Sequence, residues 1–145
     1  MARWSCGQQI GSSVAHDAVT WNEWATRAVD TLTMTPDATD ADWVALFAPG
    51  GTYEDPVNAR TEDVASVFAM TRAAFADWSM RVTTTAGDDR GGSIEWVSHG
   101  HLPHGPAVTL HGCSVIHSGA GGLVVRWRDY FDMGEFERQA RPTGD

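Results

Sequence analysis

The stretch Val124–Phe136, "VVRWRDYFDMGEF", decides how this chain is read. Taken as a β-strand, its side chains alternate between two faces. Leu123, Val125, Trp127, Asp129 and Phe131 share one face; Val124, Arg126, Arg128, Tyr130 and Asp132 share the other. The first set is apolar except for Asp129, so it is expected to turn inward. The second is polar and basic and suits solvent or a subunit contact. A carboxylate buried without partners is costly, so it must gather donors or raise its pKa. Donors alone would make Asp129 a structural fastening, whereas a pKa near working pH is what a general acid or base requires.

Outward from this strand, the segments 79–86, 92–102, 106–117 and 121–131 all read as β. They are separated by "GDDRGG", "PHG" and "SGAGG", which are turn material. Such short connections predict antiparallel neighbours. "MGEFERQ" reads as a brief helical tail. Upstream, "DAVTWNEWATRAVDTL" has helical spacing, with Asp17 or Thr20 as its cap, and Pro36 in "TMTPDATD" breaks it. Thr39 or Asp40 is expected to cap a second short helix, "ADWVALF", which "APGG" stops. "TYEDPV" reads as a short extended piece at a sheet edge, because Pro56 lacks an amide donor. "TEDVASVFAMTRAAFADW" reads as the third helix, with Thr61 as cap. Helices segregated from strands predict an α+β fold, a cone-shaped curved antiparallel sheet packed on three helices. The expected domain is residues 17–139, between a loose leader (1–16) and a tail (140–145).

A second acidic position comes from "TYEDPVNAR". Tyr53 and Asp55 share a strand face and Glu54 points away. Pro56 fixes the backbone after Asp55, which would aim its carboxylate at the cavity holding Asp129. The plainer reading is that Asp55 caps a turn, as Asp-Pro commonly does. Trp96 and Trp127 are expected to face inward, as a wall for a substrate or as core filling.

Composition narrows the function. With 145 residues, 42% hydrophobic and 20% charged, the chain is one globular domain. A net charge of −9 and no basic stripe argue against a nucleic-acid partner. No apolar run reaches the roughly 20 residues of a membrane helix, and the first residues lack a secretory core. A cytoplasmic protein that does not enter membranes is expected. Cys6 and Cys113 are too few and too far apart for a metal knuckle or redox pair. His99 and His101 alternate with Ile94, Trp96 and Ser98, and His111 with Leu110, Gly112 and Ser114. That places these histidines on the outer face beside His104, so no metal site is expected.

With Asp129, Asp55 and Tyr53 in hand, the chain resembles the SnoaL-like branch of the nuclear transport factor 2-like superfamily over approximately residues 18–138. "LFAPGGTYEDPVNAR" resembles the segment of ketosteroid isomerases in which the Asp of Glu-Asp-Pro is the general base, which falls on Asp55. "WRDYFDMGEFE" resembles the terminal strand of limonene epoxide hydrolases, where the Asp of Trp-Arg-Asp activates water, which falls on Asp129. Their water-holding Tyr-x-Asn reads Tyr53-Glu54-Asp55 here. Two departures stand out. The hydrolases' Arg-x-Asp falls near Trp96 and Ser98. The oxyanion-hole Tyr of ketosteroid isomerases falls in "TRAVDTL" and their protonated Asp near Ser114.

The resemblance implies an isomerase or cyclase that needs no cofactor and acts on a hydrophobic polyketide- or terpenoid-like molecule. Asp129 and Asp55 would divide the acid and base roles while Tyr53 orients or protonates an oxygen. Trp127, Trp96, Phe131, Ser98 and Ser114 would contact substrate, and the outer sheet face would form a homodimer. An epoxide hydrolase and a non-catalytic ligand-binding or assembly domain are the alternatives.

Overall fold

Short turns build the sheet, as their sequences predict. The computed structural model describes residues 19–32 and 39–141; the leader, Asp17, Pro36 and residues 142–145 lie outside the described residues. The elements run α1 (Trp21–Leu32), α2 (Asp40–Val44), β1 (Phe47–Glu54), α3 (Val64–Ala74), β2 (Asp77–Asp88), β3 (Gly91–His101), β4 (Ala107–Ser118), β5 (Val124–Phe131) and α4 (Met133–Ala140). Strands β2 to β5 form consecutive antiparallel pairs. β1 lies beside β5 in parallel, giving the order β1-β5-β4-β3-β2 in a mixed rather than wholly antiparallel sheet.

Local chemistry sets the helix boundaries. Thr20 and Glu23 bond each other's backbone amides at the start of α1. Thr39 and Asp42 form a capping box on α2, satisfying two otherwise orphaned donors. α2 ends at Val44, earlier than expected, and Phe47 opens β1. "APGG" therefore lies inside β1, where Gly50 takes φ 74° and the register with β5 shifts. α3 begins at Val64 with Asp63 as its cap, not at Thr61. Thr61 instead exchanges two backbone hydrogen bonds of 2.9 Å with Tyr53. That bridge ties the 55–60 loop back onto β1.

The alternation of β5 also slips by one residue. Val124 is buried, while Leu123 and Val125 are 37% and 48% exposed, contrary to strict parity. Both neighbouring ladders shift register nearby, between Phe47 and Thr52 and between His117 and Ser118. Such irregularities insert an unpaired residue and reverse which side chains face the core. From Trp127 onward the expected alternation holds, with Trp127 and Asp129 buried.

Helices α1 to α3 cover the concave face. Ala25, Ala28 and Val29 of α1, Trp43 of α2 and Phe68 of α3 meet Ile94, Ile116, Val124 and Trp127 of the sheet. Trp43 is the hub, with Phe47, Tyr53, Phe68 and Trp127 rings 5.0–6.1 Å away and its indole N–H donating to the Val64 carbonyl at 2.9 Å. Aromatic packing at these separations adds to the burial of apolar area.

Candidate active site

The core does not fill the cone. A cavity of about 320 Å³ opens between α3, the inner sheet face and α4. Its walls are mainly aromatic rings and methionines, and Tyr53, Asp55, Asn58 and Asp129 form a polar cluster within it.

β1 and β5 run side by side, and Tyr53 is in register with Trp127. This parallel pairing brings Tyr53 and Asp55 to Asp129 across 76 residues of chain. The Tyr53 hydroxyl lies 2.8 Å from Asp129 Oδ2 and 2.9 Å from Asp55 Oδ2. Asp55 is also the predicted turn residue. Its Oδ1 accepts the amides of Val57 (2.7 Å) and Asn58 (2.6 Å), and its Oδ2 accepts the Asn58 side-chain amide at 2.9 Å. Asp55 thus closes the turn and borders the cavity, because the turn is what aims the carboxylate.

Hydrogen-bond directions around Asp129 follow from the donor inventory. An indole N–H only donates. Trp96 Nε1 therefore gives its proton to Ser114 Oγ at 2.9 Å, leaving the Ser114 hydroxyl to donate to Asp129 Oδ1 at 2.5 Å. Trp127 Nε1 donates to the same oxygen at 2.6 Å. With two donors on Oδ1, any proton that Asp129 gains sits on Oδ2, the oxygen beside Tyr53. Gly112 makes this chain possible: a Cβ there would come within 2.3 Å of the Trp96 indole.

Burial is the main cause that moves Asp129, pushing its pKa up from 3.8 to about 6. Bonds from Ser114, Trp127 and Tyr53 pull it down, and the nearby Asp55 charge pushes it up. Burial and the two carboxylates raise the Tyr53 phenol well above its ordinary value, so it stays protonated. Tyr53 can donate or relay a proton but cannot serve as a base.

Of the predicted residues, Tyr53, Asp55, Asp129, Trp96 and Phe131 line the cavity. Trp127, Ser98 and Ser114 do not. Trp127 is fully buried against Trp24, Trp43 and Phe47, Ser98 faces the Leu110 carbonyl, and Ser114 supports Asp129 from behind. Their small size or their place deep in the cone keeps them off the cavity wall. His99, His101 and His111 are exposed, as parity predicts; His99 meets Thr109, His101 meets Asp77 and His111 meets Glu135. Sequence reasoning missed Asn58, whose signal was its position three residues after an Asp-Pro turn. It also missed the walls made by Phe68, Phe75, Met80, Met133 and Phe136, since an apolar residue on a helix or strand face gives no sign of whether it lines a void.

The profile of the SnoaL-like domain family matches residues 25–127. No curated protein is detectably similar in sequence. Among solved structures, a protein of ketosteroid isomerase-like fold from Catenulispora acidiphila, in complex with trimethylamine, is 22% identical. It aligns over 81% of this chain and 92% of its own, with TM-score 0.73. A protein from Jannaschia sp., named as a SnoaL-like polyketide cyclase, is 16% identical over 83% of this chain and 92% of its own, with TM-score 0.69. An epoxide hydrolase of the limonene epoxide hydrolase-like type from M. tuberculosis is 18% identical over 80% and 88%, with TM-score 0.59. These likenesses share the nuclear transport factor 2-like fold. The cone, its mixed sheet and the match over residues 25–127 identify the chain as a member of the SnoaL-like domain family.

Proposed function

We propose that this protein is a cofactor-independent acid–base enzyme of the isomerase or cyclase type, acting on a hydrophobic small molecule. One observation supports it most: Asp129 is buried, borders the cavity, and has its Oδ1 saturated by Ser114 and Trp127. Its remaining basic oxygen, Oδ2, faces Tyr53. With a pKa of about 6, Asp129 is mostly ionised at pH 7 and can take a proton from an activated C–H. The C–H bond breaks, an O–H bond forms at Oδ2, and the same proton returns to a second atom of the substrate. Tyr53 stays protonated throughout and hydrogen-bonds Asp129 Oδ2.

A positioned base of this kind contributes about 10²–10⁴-fold. The test uses 2-tetralone, whose ring protons beside the carbonyl are acidic, in deuterated buffer. Exchange should accelerate with the wild type and fall to background with Asp129→Asn. Equal exchange by the two proteins would refute the role of Asp129. The match of "WRDYFD" to epoxide hydrolases favours hydrolysis as the second reading. Incorporation of one ¹⁸O from labelled water into the diol formed from a terpene epoxide decides for it.

A further inference from the structure

Two adjacent carboxylates on β1 have opposite surroundings. Glu54, on the outer face, meets Arg126 at 2.5 Å, Arg60 at 3.3 Å and Arg128 at 3.5 Å. Asp55, the next residue, has no cationic partner, and neither does Asp129 among the described residues. All ten basic residues of the chain are arginines. Among the described residues, none of them lines the cavity. Among the described residues the cavity therefore holds two carboxyl groups and no cationic side chain.

The rest of the wall suits a positive charge. The rings of Trp43, Phe68, Phe75, Trp78, Trp96 and Phe131 line the space. Aromatic faces attract cations through their quadrupoles, and cages of them recognise alkylammonium groups. Met70, Met80 and Met133 add polarisable, adaptable thioethers. An anion would meet like charge without compensation, and a neutral molecule would leave the hydrogen-bonded carboxylates without a countercharge. Size sets the second limit. A cavity of about 150 Å³ holds benzene, with its six carbons, so about 320 Å³ accommodates roughly 13 non-hydrogen atoms.

We propose that the cavity takes a small organic cation, an arylalkyl- or alkylammonium of roughly 13 non-hydrogen atoms or fewer, with its ammonium against Asp55 and Asp129. This deepens the acid–base reading of the same cavity and rests on it for the chemistry, while the charge preference itself needs no turnover. A fused tetracyclic skeleton exceeds that volume and could enter only in part.

Calorimetry at pH 7.5 with three probes of nearly equal size tests it: 2-naphthylmethylammonium, 2-naphthylmethanol and 2-naphthoate. The ammonium should bind at least ten-fold tighter than the alcohol, with the carboxylate weaker than both. Asp55→Asn, whose amide oxygen can still accept the turn amides, should abolish most of that advantage, read as the ratio of ammonium to alcohol affinity in the same variant. Asp129→Asn provides the same readout if Asp55→Asn fails to fold. An alcohol that binds as tightly as the ammonium, or a cavity that binds none of the three, overturns the proposal. Loss of the ammonium preference with Asp129-dependent exchange intact refutes only this inference. Preference retained with exchange indifferent to Asp129 refutes only the acid–base reading.

Discussion

A single carboxyl, Asp129, is acted on in opposite directions by three donors and by burial. Burial wins, so the folded protein holds this proton more tightly than the unfolded chain does. The sign for stability follows directly. Between pH 4 and 6 the native state binds more protons than the unfolded one, so stability falls as pH rises through that window and levels off above it. Moving a carboxyl from 3.8 to about 6 corresponds to roughly 3 kcal/mol. Asp129→Asn removes the titration while keeping an oxygen that can accept from Ser114 and Trp127. Urea unfolding of both proteins from pH 4 to 8 should show the variant gaining about 3 kcal/mol on the wild type as pH rises. A difference that stays constant with pH contradicts the assignment. At this scale parity exposed Asp129, Tyr53 and Asp55. The Trp96–Ser114–Asp129 chain stayed hidden, since it depends on the cross-strand alignment that sets Trp96 opposite Gly112 and Ser114 opposite Asp129.

Among the elements, α4 does more than end the chain. β5 stops at Phe131, opposite Gly112, so the edge of β4 beyond it has no strand partner on that side. Side chains of α4 replace that partner. Gln139 accepts the Thr109 amide at 2.8 Å and donates to the Thr109 carbonyl at 2.7 Å, and Glu135 meets the His111 amide at 3.3 Å. The clamp holds Met133 and Phe136 against the cavity. Gln139→Ala should cost about 1–3 kcal/mol, strip hydrogen-exchange protection from the Thr109 amide and speed ligand release. Unchanged protection at Thr109 would show that α4 is held in some other way. The helical tail was legible from "MGEFERQ", but its docking was not, because a lone Gln near a chain end does not reveal which backbone edge it completes. The strands were legible from their turn residues. α2 and α3 end earlier than expected, and Phe47 and Trp78 are buried as members of the sheet instead.

Across the whole molecule, sequence separation decided what could be read. Hairpins declare themselves locally, so β2 to β5 and the α+β class followed from turn spacing. The parallel β1–β5 pairing joins segments about 70 residues apart, and no local signal marks it. Yet that pairing assembles the site, since it alone brings Tyr53 and Asp55 to Asp129. Strand parity and the resemblance both placed these residues at one cavity, without the pairing that joins them. Neither could show the cavity's size or its lack of cations, which depend on every element packed around it.

The elevated pKa of Asp129 is a property of that entire enclosure, and a carbon-13 NMR titration of its side-chain carboxyl measures it, with the resonance assigned by its disappearance in Asp129→Asn. The midpoint should lie at about 6. A midpoint at the ordinary 3.8 would mean that Asp129 is a solvated or fully compensated carboxylate, not a base poised in an apolar cavity.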